Sequence, residues 1–158
     1  MRPIVRAATL DDVDELSRLR WDFRVEAGTP VTRSHAAFVE EFRTFAADAF
    51  AEGTQWRAWV AEEDDDHLVG CAWLHLVEKV PHPDRDRWER PIAYLTTMFV
   101  DPAHRNNGLG RELLDRALDF ACEREVDGVL LWPSERSRPF YERAGFGPGF
   151  LWLDIAGD

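Results

Sequence analysis

An apolar strand, a glycine-bearing turn, a long amphipathic helix and a second apolar strand follow one another between residues 93 and 132. Ala93 to Val100 is rich in β-branched and aromatic residues, and Asp101-Pro102 ends it. Leu109, Leu113, Leu114, Ala117, Leu118 and Ala121 then recur at helical spacing up to about Glu123. Val129 to Trp132 is short and apolar, as a buried strand is. A strand, a crossover helix and a strand in one sheet imply a right-handed connection and a parallel pair. That unit fixes one part of the fold, and the rest of the chain must be built around it.

The flanking segments supply the remaining layers. Pro3 to Ala7 reads as an opening strand, and Thr9 stands three residues before Asp12 in a variant of the helix-start signal. Val13, Leu16, Leu19 and Phe23 form one helical stripe, stopped by Gly28-Thr29-Pro30. Ser34 can cap a second helix with the stripe Phe38, Phe42, Phe45, Ala49. Trp56 to Glu62 and Leu68 to Val77 flank an acidic turn and predict an antiparallel pair. Residues 79–91 make a long, charged, proline-bearing connection, a length that suits a binding loop. A short helix over 136–143 and a last strand over Phe150 to Ile155 complete the order. The expected class is α/β (α+β): a central mixed, mostly antiparallel sheet with one parallel pair and helices on both faces. Residues 1–158 have the size of a single domain, with no repeat or linker.

The charge balance excludes some functions. A net charge of -11 is the opposite of the basic footprint that nucleic-acid binding requires. It suits cationic partners such as amines, or simply keeps the chain in solution. Cys71 and Cys122 sit in apolar-periodic segments and read as small buried hydrophobes, making neither a disulfide framework nor a zinc set. His35, His67, His82 and His104 have no metal-ligand spacing, so no metal is expected. Most of the seven tryptophans are assigned to the core. No apolar run is long enough to span a membrane and no signal peptide is visible, so a cytoplasmic location is expected.

Chemistry concentrates at Arg105-Asn106-Asn107-Gly108-Leu109-Gly110, between the strand and the long helix. A helix N-terminus exposes unpaired amides and a positive dipole end, which bind anions. Glycines at 108 and 110 would allow close approach of a phosphate, and Arg105 could add a charge-assisted contact. A glycine pair alone is equally compatible with a tight turn. A P-loop would need Gly-Lys-Ser/Thr, but Gly110 is followed by Arg111-Glu112; a dinucleotide fingerprint would need glycine where Leu113 stands.

Phe99-Val100-Asp101-Pro102-Ala103-His104-Arg105-Asn106-Asn107-Gly108-Leu109-Gly110 resembles the central motif of the GCN5-related N-acetyltransferase (GNAT) superfamily, an apolar strand and proline followed by R/Q-x-x-G-x-G/A. Pro139-Phe140-Tyr141-Glu142-Arg143-Ala144-Gly145-Phe146 is similar to its later Tyr-to-Gly-Phe segment. The resemblance is specific over 93–146 and architectural over 1–92. It implies that the parallel pair is splayed and that acetyl-CoA is the co-substrate. Backbone amides of Arg105, Asn106, Asn107, Gly108, Leu109 and Gly110 would hold its pyrophosphate. Met98, Phe99 and Val100 would pair with the pantetheine arm, an instance of β-augmentation. Ser134 and Arg138 fall on the cofactor side as well. Two positions depart from the pattern. Asn106 replaces a frequent glycine, although asparagine tolerates positive φ. Ser134 replaces a frequent asparagine, and a hydroxyl can supply one hydrogen bond but not two.

The implied reaction is acetyl transfer to a primary amine by direct attack. Tyr141 would protonate the leaving thiolate, as a phenol can, though a packing role for it is equally compatible with its spacing alone. Glu78, Glu89 and His75 are the candidate bases, with a water chain as the alternative; His75 also reads as a core or cleft-wall residue. Thr96 and Thr97 could line the acceptor pocket or serve only the strand. The acceptor, a small-molecule or peptide amine, is expected under the 79–91 loop near Trp73 and Trp88, where an acidic lining would suit a cation. Edge strands and exposed tryptophans leave a homodimer open. The competing reading is a binding module that holds acyl-CoA without turnover.

Overall fold

A computed structural model of the chain describes residues 2–64, 67–81, 83 and 90–148. The element order is β1 (Ile4–Ala7), α1 (Val13–Glu26), α2 (His35–Ala49), β2 (Trp56–Asp64), β3 (His67–Val77), β4 (Ile92–Val100), α3 (Leu109–Glu123), β5 (Val129–Leu130) and α4 (Arg138–Arg143). Phe150–Ile155, read as a strand, Glu89, Trp88 and most of the 79–91 connection lie outside the described residues.

Leu68 to Leu74 of β3 are buried without a break, so this strand must be covered on both faces. It lies at the centre of a five-stranded sheet in the order β1-β2-β3-β4-β5. The first three pairings are antiparallel, and β4 pairs with β5 in parallel, as the crossover unit requires. On one face α1 and α2 bring Leu16, Leu19, Phe42 and Ala46 against Val60, Cys71, Trp73 and Phe99. On the other, α3 brings Leu109, Leu113, Leu114, Ala117 and Ala121 against Val69, Leu74, Leu95 and Val100. The helix ends follow local chemistry. The Thr9 amide donates to Asp12 Oδ2 at 2.7 Å in a short 3-10 turn before α1. Ser34 Oγ accepts from the Ala37 amide at 3.3 Å to start α2.

Several sequence expectations hold only in part. Cys71 is buried, and burial pushes its thiol up to about 12; Cys122 is exposed, one position past the last buried residue of α3. Trp59 and Trp73 are buried, but Trp21 and Trp56 are half-buried and Trp132 is 44% exposed. β5 is two residues long rather than four, and α4 begins at Arg138. No helix among the described residues is long and apolar enough to cross a membrane.

The sheet carries three register shifts among the described residues, two between β2 and β3 and one between β3 and β4. In β3, Ala61 pairs with Gly70 but Glu62 pairs with Leu68, so one residue is inserted. The inserted residue is Val69; its neighbour Gly70 faces α3, where a Cβ would lie 3.0 Å from the Phe99 carbonyl oxygen and 3.2 Å from Leu113 Cδ1. In β4, Cys71 pairs with Phe99 and Trp73 with Thr96, which inserts Thr97 at φ +49. A β-branched residue in the left-handed region is strained. It is held here by Arg20, whose Nη1 donates to Thr97 Oγ1 at 3.2 Å, and by the Cys71 thiol on its carbonyl at 3.4 Å.

Candidate active site

The parallel pairing of β4 and β5 covers only Ala93–Val129 and Tyr94–Leu130. Past Tyr94, β4 has no partner on that side, and the segment after Leu130 diverges from it. The V between them is a cleft of about 180 Å³. That is below the ~300–1,000 Å³ of ordinary ligand pockets, so it suits a slender extended group rather than a ring system. One wall is the uninterrupted run Tyr94 to Val100, which includes the bulge. Consecutive lining residues mean that backbone as well as side chains faces the cleft. The other wall is Leu131, Trp132, Ser134, Arg136, Ser137 and Tyr141.

At one end the cleft meets the turn before α3. Asn106 has φ +63 and Gly108 has φ +81, both left-handed. Asparagine is among the few residues that accept this, so the departure at 106 leaves the turn intact. Gly108 caps α3 without a side-chain hydrogen bond, and the Glu112 amide is the first to find a helical acceptor, at Gly108. Among the described residues, the amides from Asn106 to Arg111 have no acceptor. The two glycines differ. Gly108 needs its positive φ, whereas a Cβ at Gly110 would make only 3.8 Å contacts with Met98, Phe140 and Val100. Gly110 therefore faces the sheet, and its missing side chain opens no route to a ligand.

Arg105 places its side chain across the cleft mouth. Its Nε donates to the Val100 carbonyl at 2.8 Å, and its two Nη atoms hold Glu26 at 2.8 and 2.5 Å. Arg136, on the opposite wall, donates to the same Glu26 at 2.6 Å. The last residue of α1 thus bridges both walls. Arg105 first, and Arg136 with it, lowers the Glu26 carboxyl to about 2, against an opposing effect of burial that ranks between the two.

Tyr141 lies on the cleft wall, packed edge-on to Phe140 and Phe146. Its phenol makes no hydrogen bond among the described residues, and burial pushes it up to about 12. Ser134 also lines the cleft, but its hydroxyl donates to Ser137 Oγ at 2.9 Å and accepts from the Ser137 amide at 3.2 Å, which sets the turn into α4. Arg138 does not line this cleft; it borders an adjoining hollow beside Pro133 and Glu142 that shares Leu131, Trp132 and Tyr141 with it. Glu78 is exposed just beyond the end of β3, beside the first residues of β4, and does not line the cleft. His75 packs on the Trp56 ring at 4.5 Å and pairs across strands with Tyr94.

The sequence reading missed Glu26, Arg136, Tyr94 and Arg20. Arg20 and Phe23 share a face of α1, and the guanidinium stands 5.6 Å from the Phe23 ring, which lines the cleft. The acidic lining is expected under the 79–91 loop, most of which lies outside the described residues. No carboxylate lines the cleft among the described residues, while Arg105 and Arg136 do.

The fold and the site have counterparts among known proteins. A GCN5-related N-acetyltransferase from Ralstonia eutropha superposes with a TM-score of 0.78 at 29% identity, over 98% of this chain and 99% of that one. A predicted acetyltransferase with acetyl-CoA, from Clostridium acetobutylicum, has the same fold, with a TM-score of 0.78 at 23% identity over 97% and 95% of the two chains. In sequence, a mycothiol acetyltransferase of Beutenbergia cavernae is 35% identical over 61% of this chain and 32% of its own length. A glucosamine 6-phosphate N-acetyltransferase of Trypanosoma brucei brucei is 34% identical over 50% of each. The chain thus spans half or less of the length of these two relatives. The strand, turn and helix described above fall inside residues 14–146, which match the acetyltransferase (GNAT) family profile, and the chain belongs to that family.

Proposed function

We propose that the chain transfers the acetyl group of acetyl-CoA to a primary amine by direct attack in a ternary complex. One observation carries the reading: the unpartnered edge of β4 lines a narrow cleft that ends at Arg105, and the unpaired amides of 106–111 follow directly in the chain. The amides suit a pyrophosphate. The edge suits an extended chain with amide groups of its own, such as the pantetheine arm. Family membership and the acetyl-CoA of the Clostridium protein support the same donor. Met98, Phe99 and Val100 would pair with the arm, leaving the thioester beside the Thr97 bulge and Tyr141.

In this reading the amine nitrogen attacks the thioester carbonyl carbon. The C–N bond forms, the C–S bond breaks, and the electron pair leaves on sulfur. Backbone N–H groups of β4 polarise the carbonyl oxygen, and the cleft fixes the alignment. The Tyr141 phenol, held in its protonated form by burial, gives its proton to the thiolate and is reprotonated by solvent. No carboxylate faces the reacting atoms among the described residues, so the amine proton leaves through water; Glu78 acts at most through such a chain.

The test begins with thermal shift against acetyl-CoA, CoA, ATP and NAD. At ~100 dissociation constants a ligand adds about 2.7 kcal/mol. A shift with the CoA species alone supports the donor site, and absence of that shift in folded protein removes it. Tyr141→Phe should then keep CoA affinity and lose about 10²-fold in turnover. Tight CoA binding with no turnover over a broad amine panel would leave the binding module as the function.

A further inference from the structure

The α1 helix sends Arg18 and Arg20 inward, and they are treated differently. Arg18 is held by Glu15 and Asp22 at 2.9 and 3.0 Å, with Asp101 at 3.9 Å. Arg20 donates one Nη1 hydrogen bond to Thr97 Oγ1 and lies against Phe23. It has no carboxylate partner among the described residues; its charged and titratable neighbours are Arg24, Cys71 and Tyr94. Burial and then Arg24 push its guanidinium down, the direction of an uncompensated cation. The Cys71 thiol, raised to about 12, offers no negative charge. Acid is not scarce in this chain: 30 Asp and Glu stand against 19 Lys and Arg, yet none of the described ones pairs with Arg20.

A half-buried arginine without a counter-ion is costly to hold. It fits a site that is completed by an anion from outside. Guanidinium carries five donors, and Thr97 engages one nitrogen, so Nε and Nη2, which have no acceptor among the described residues, could take a bidentate oxyanion. That edge stands next to the bulge, which on the acetyl-transfer reading is where the thioester carbonyl lies. We propose that the acceptor amine carries an oxyanion, a carboxylate or a phosphate, close to its nitrogen, and that Arg20, oriented by Thr97, binds it. The inference rests on the acetyl-transfer reading of the cleft. The same cation has a second effect: positive charge beside the bound amine disfavours its ammonium form, so more of it is the nucleophilic free base. The net charge of the chain points toward cationic acceptors, whereas the local structure points toward zwitterionic ones.

The experiment compares acceptors that differ only in the anion: amino acids against their C-terminal amides, and glucosamine 6-phosphate against glucosamine. Wild type should prefer the anionic member of one pair by about 10- to 100-fold in kcat/KM, and the preferred pair tells carboxylate from phosphate. Arg20→Gln should reduce that preference to about 3-fold or less, mainly through KM, with acetyl-CoA affinity unchanged. Arg20→Lys, which keeps the charge without the fork, should fall between and covers the case in which the glutamine variant does not fold. Equal use of neutral and anionic acceptors, or an equal loss on both in Arg20→Gln, overturns the proposal. If no acceptor turns over, thermal shift of the CoA-loaded protein with N-acetyl amino acids against N-acetyl amides decides, and no discrimination refutes the anion site. If CoA itself does not bind, the transferase reading fails separately. The acid-against-amide shift is then read on the free protein, where a shift confined to acids and lost in Arg20→Gln sustains the anion site, and its absence refutes it.

Discussion

Replacing Glu26 by glutamine removes the charge that ties both walls of the cleft to α1 while keeping the size of the side chain. In the native chain Glu26 accepts two hydrogen bonds from Arg105 and one from Arg136, and its carboxyl falls from 4.5 to about 2. A lowered acid stabilises the fold above its unfolded pKa, and that stability is lost as pH falls through the folded one. A shift of this size corresponds to ~3 kcal/mol at full strength. Glu26 is a quarter exposed and Arg136 nearly three quarters exposed, so solvent screening brings the stabilisation to about 1 kcal/mol. Urea unfolding at pH 7 should therefore place Glu26→Gln about 1 kcal/mol below wild type. The gap should hold down to about pH 5, shrink from there, and be more than half closed by pH 3. Acetyl-CoA should bind the variant more tightly at low salt, because Arg105 and Arg136 lose their internal anion and face the cleft unpaired. A gap that is absent at pH 7, or that stays constant from pH 7 to pH 3, would show that the bridge does not act as described.

The two motif glycines should respond with opposite signs. Gly108→Ala puts a Cβ at φ +81 and should cost about 1 kcal/mol in urea unfolding, with Gly108→Asn recovering part of it. Gly110→Ala meets only ordinary contacts and should leave stability unchanged or raise it by up to ~1 kcal/mol, with CoA affinity retained. Gly70→Ala drives a methyl against the Phe99 carbonyl and Leu113 and should cost about 1–3 kcal/mol; a neutral result would mean that the β3 bulge relaxes freely. The Tyr141 phenol stays protonated up to about pH 12, so its acid role predicts no alkaline loss of rate below about pH 10 from this group.

The crossover unit was legible because its signals are local. The stripe of α3 and the turn at Asp101-Pro102 each lie within one element, and together they dictate the parallel pair. Asn106 was legible for the same reason, since its left-handed φ is a property of one residue. The Thr97 bulge was not. Two threonines in a row have the same strand preference whether or not one is inserted, and the register is set by Cys71 and Trp73 on another strand. The Glu26 bridge joins residues 79 and 110 positions apart, with no periodicity to announce it. Arg20 was hidden by its own helix: read as a polar residue between Leu19 and Trp21, it gives no sign that β4 faces it.

Net charge does not describe the cleft, because it is a sum over positions that do not act on one another. At physiological salt a surface charge is screened within about 8 Å. Many of the carboxylates are also spent locally: Asp12 on Arg6, Glu15 on Arg18, Asp14 on Arg43, Glu26 on Arg105 and Arg136. The V itself is lined by the unpartnered edge of β4 and by two arginines shared with one glutamate, while a third arginine, bonded to Thr97, has no carboxylate partner among the described residues. The overall charge of -11 governs encounter, slowing the approach of a polyanion such as a CoA ester at low salt. The bound state is governed by the donors within a few ångströms. A chain that is acidic as a whole can therefore present a cationic cleft, and the proposed selectivity for anions at the donor and acceptor ends would rest on Arg105, Arg136 and Arg20 rather than on net charge.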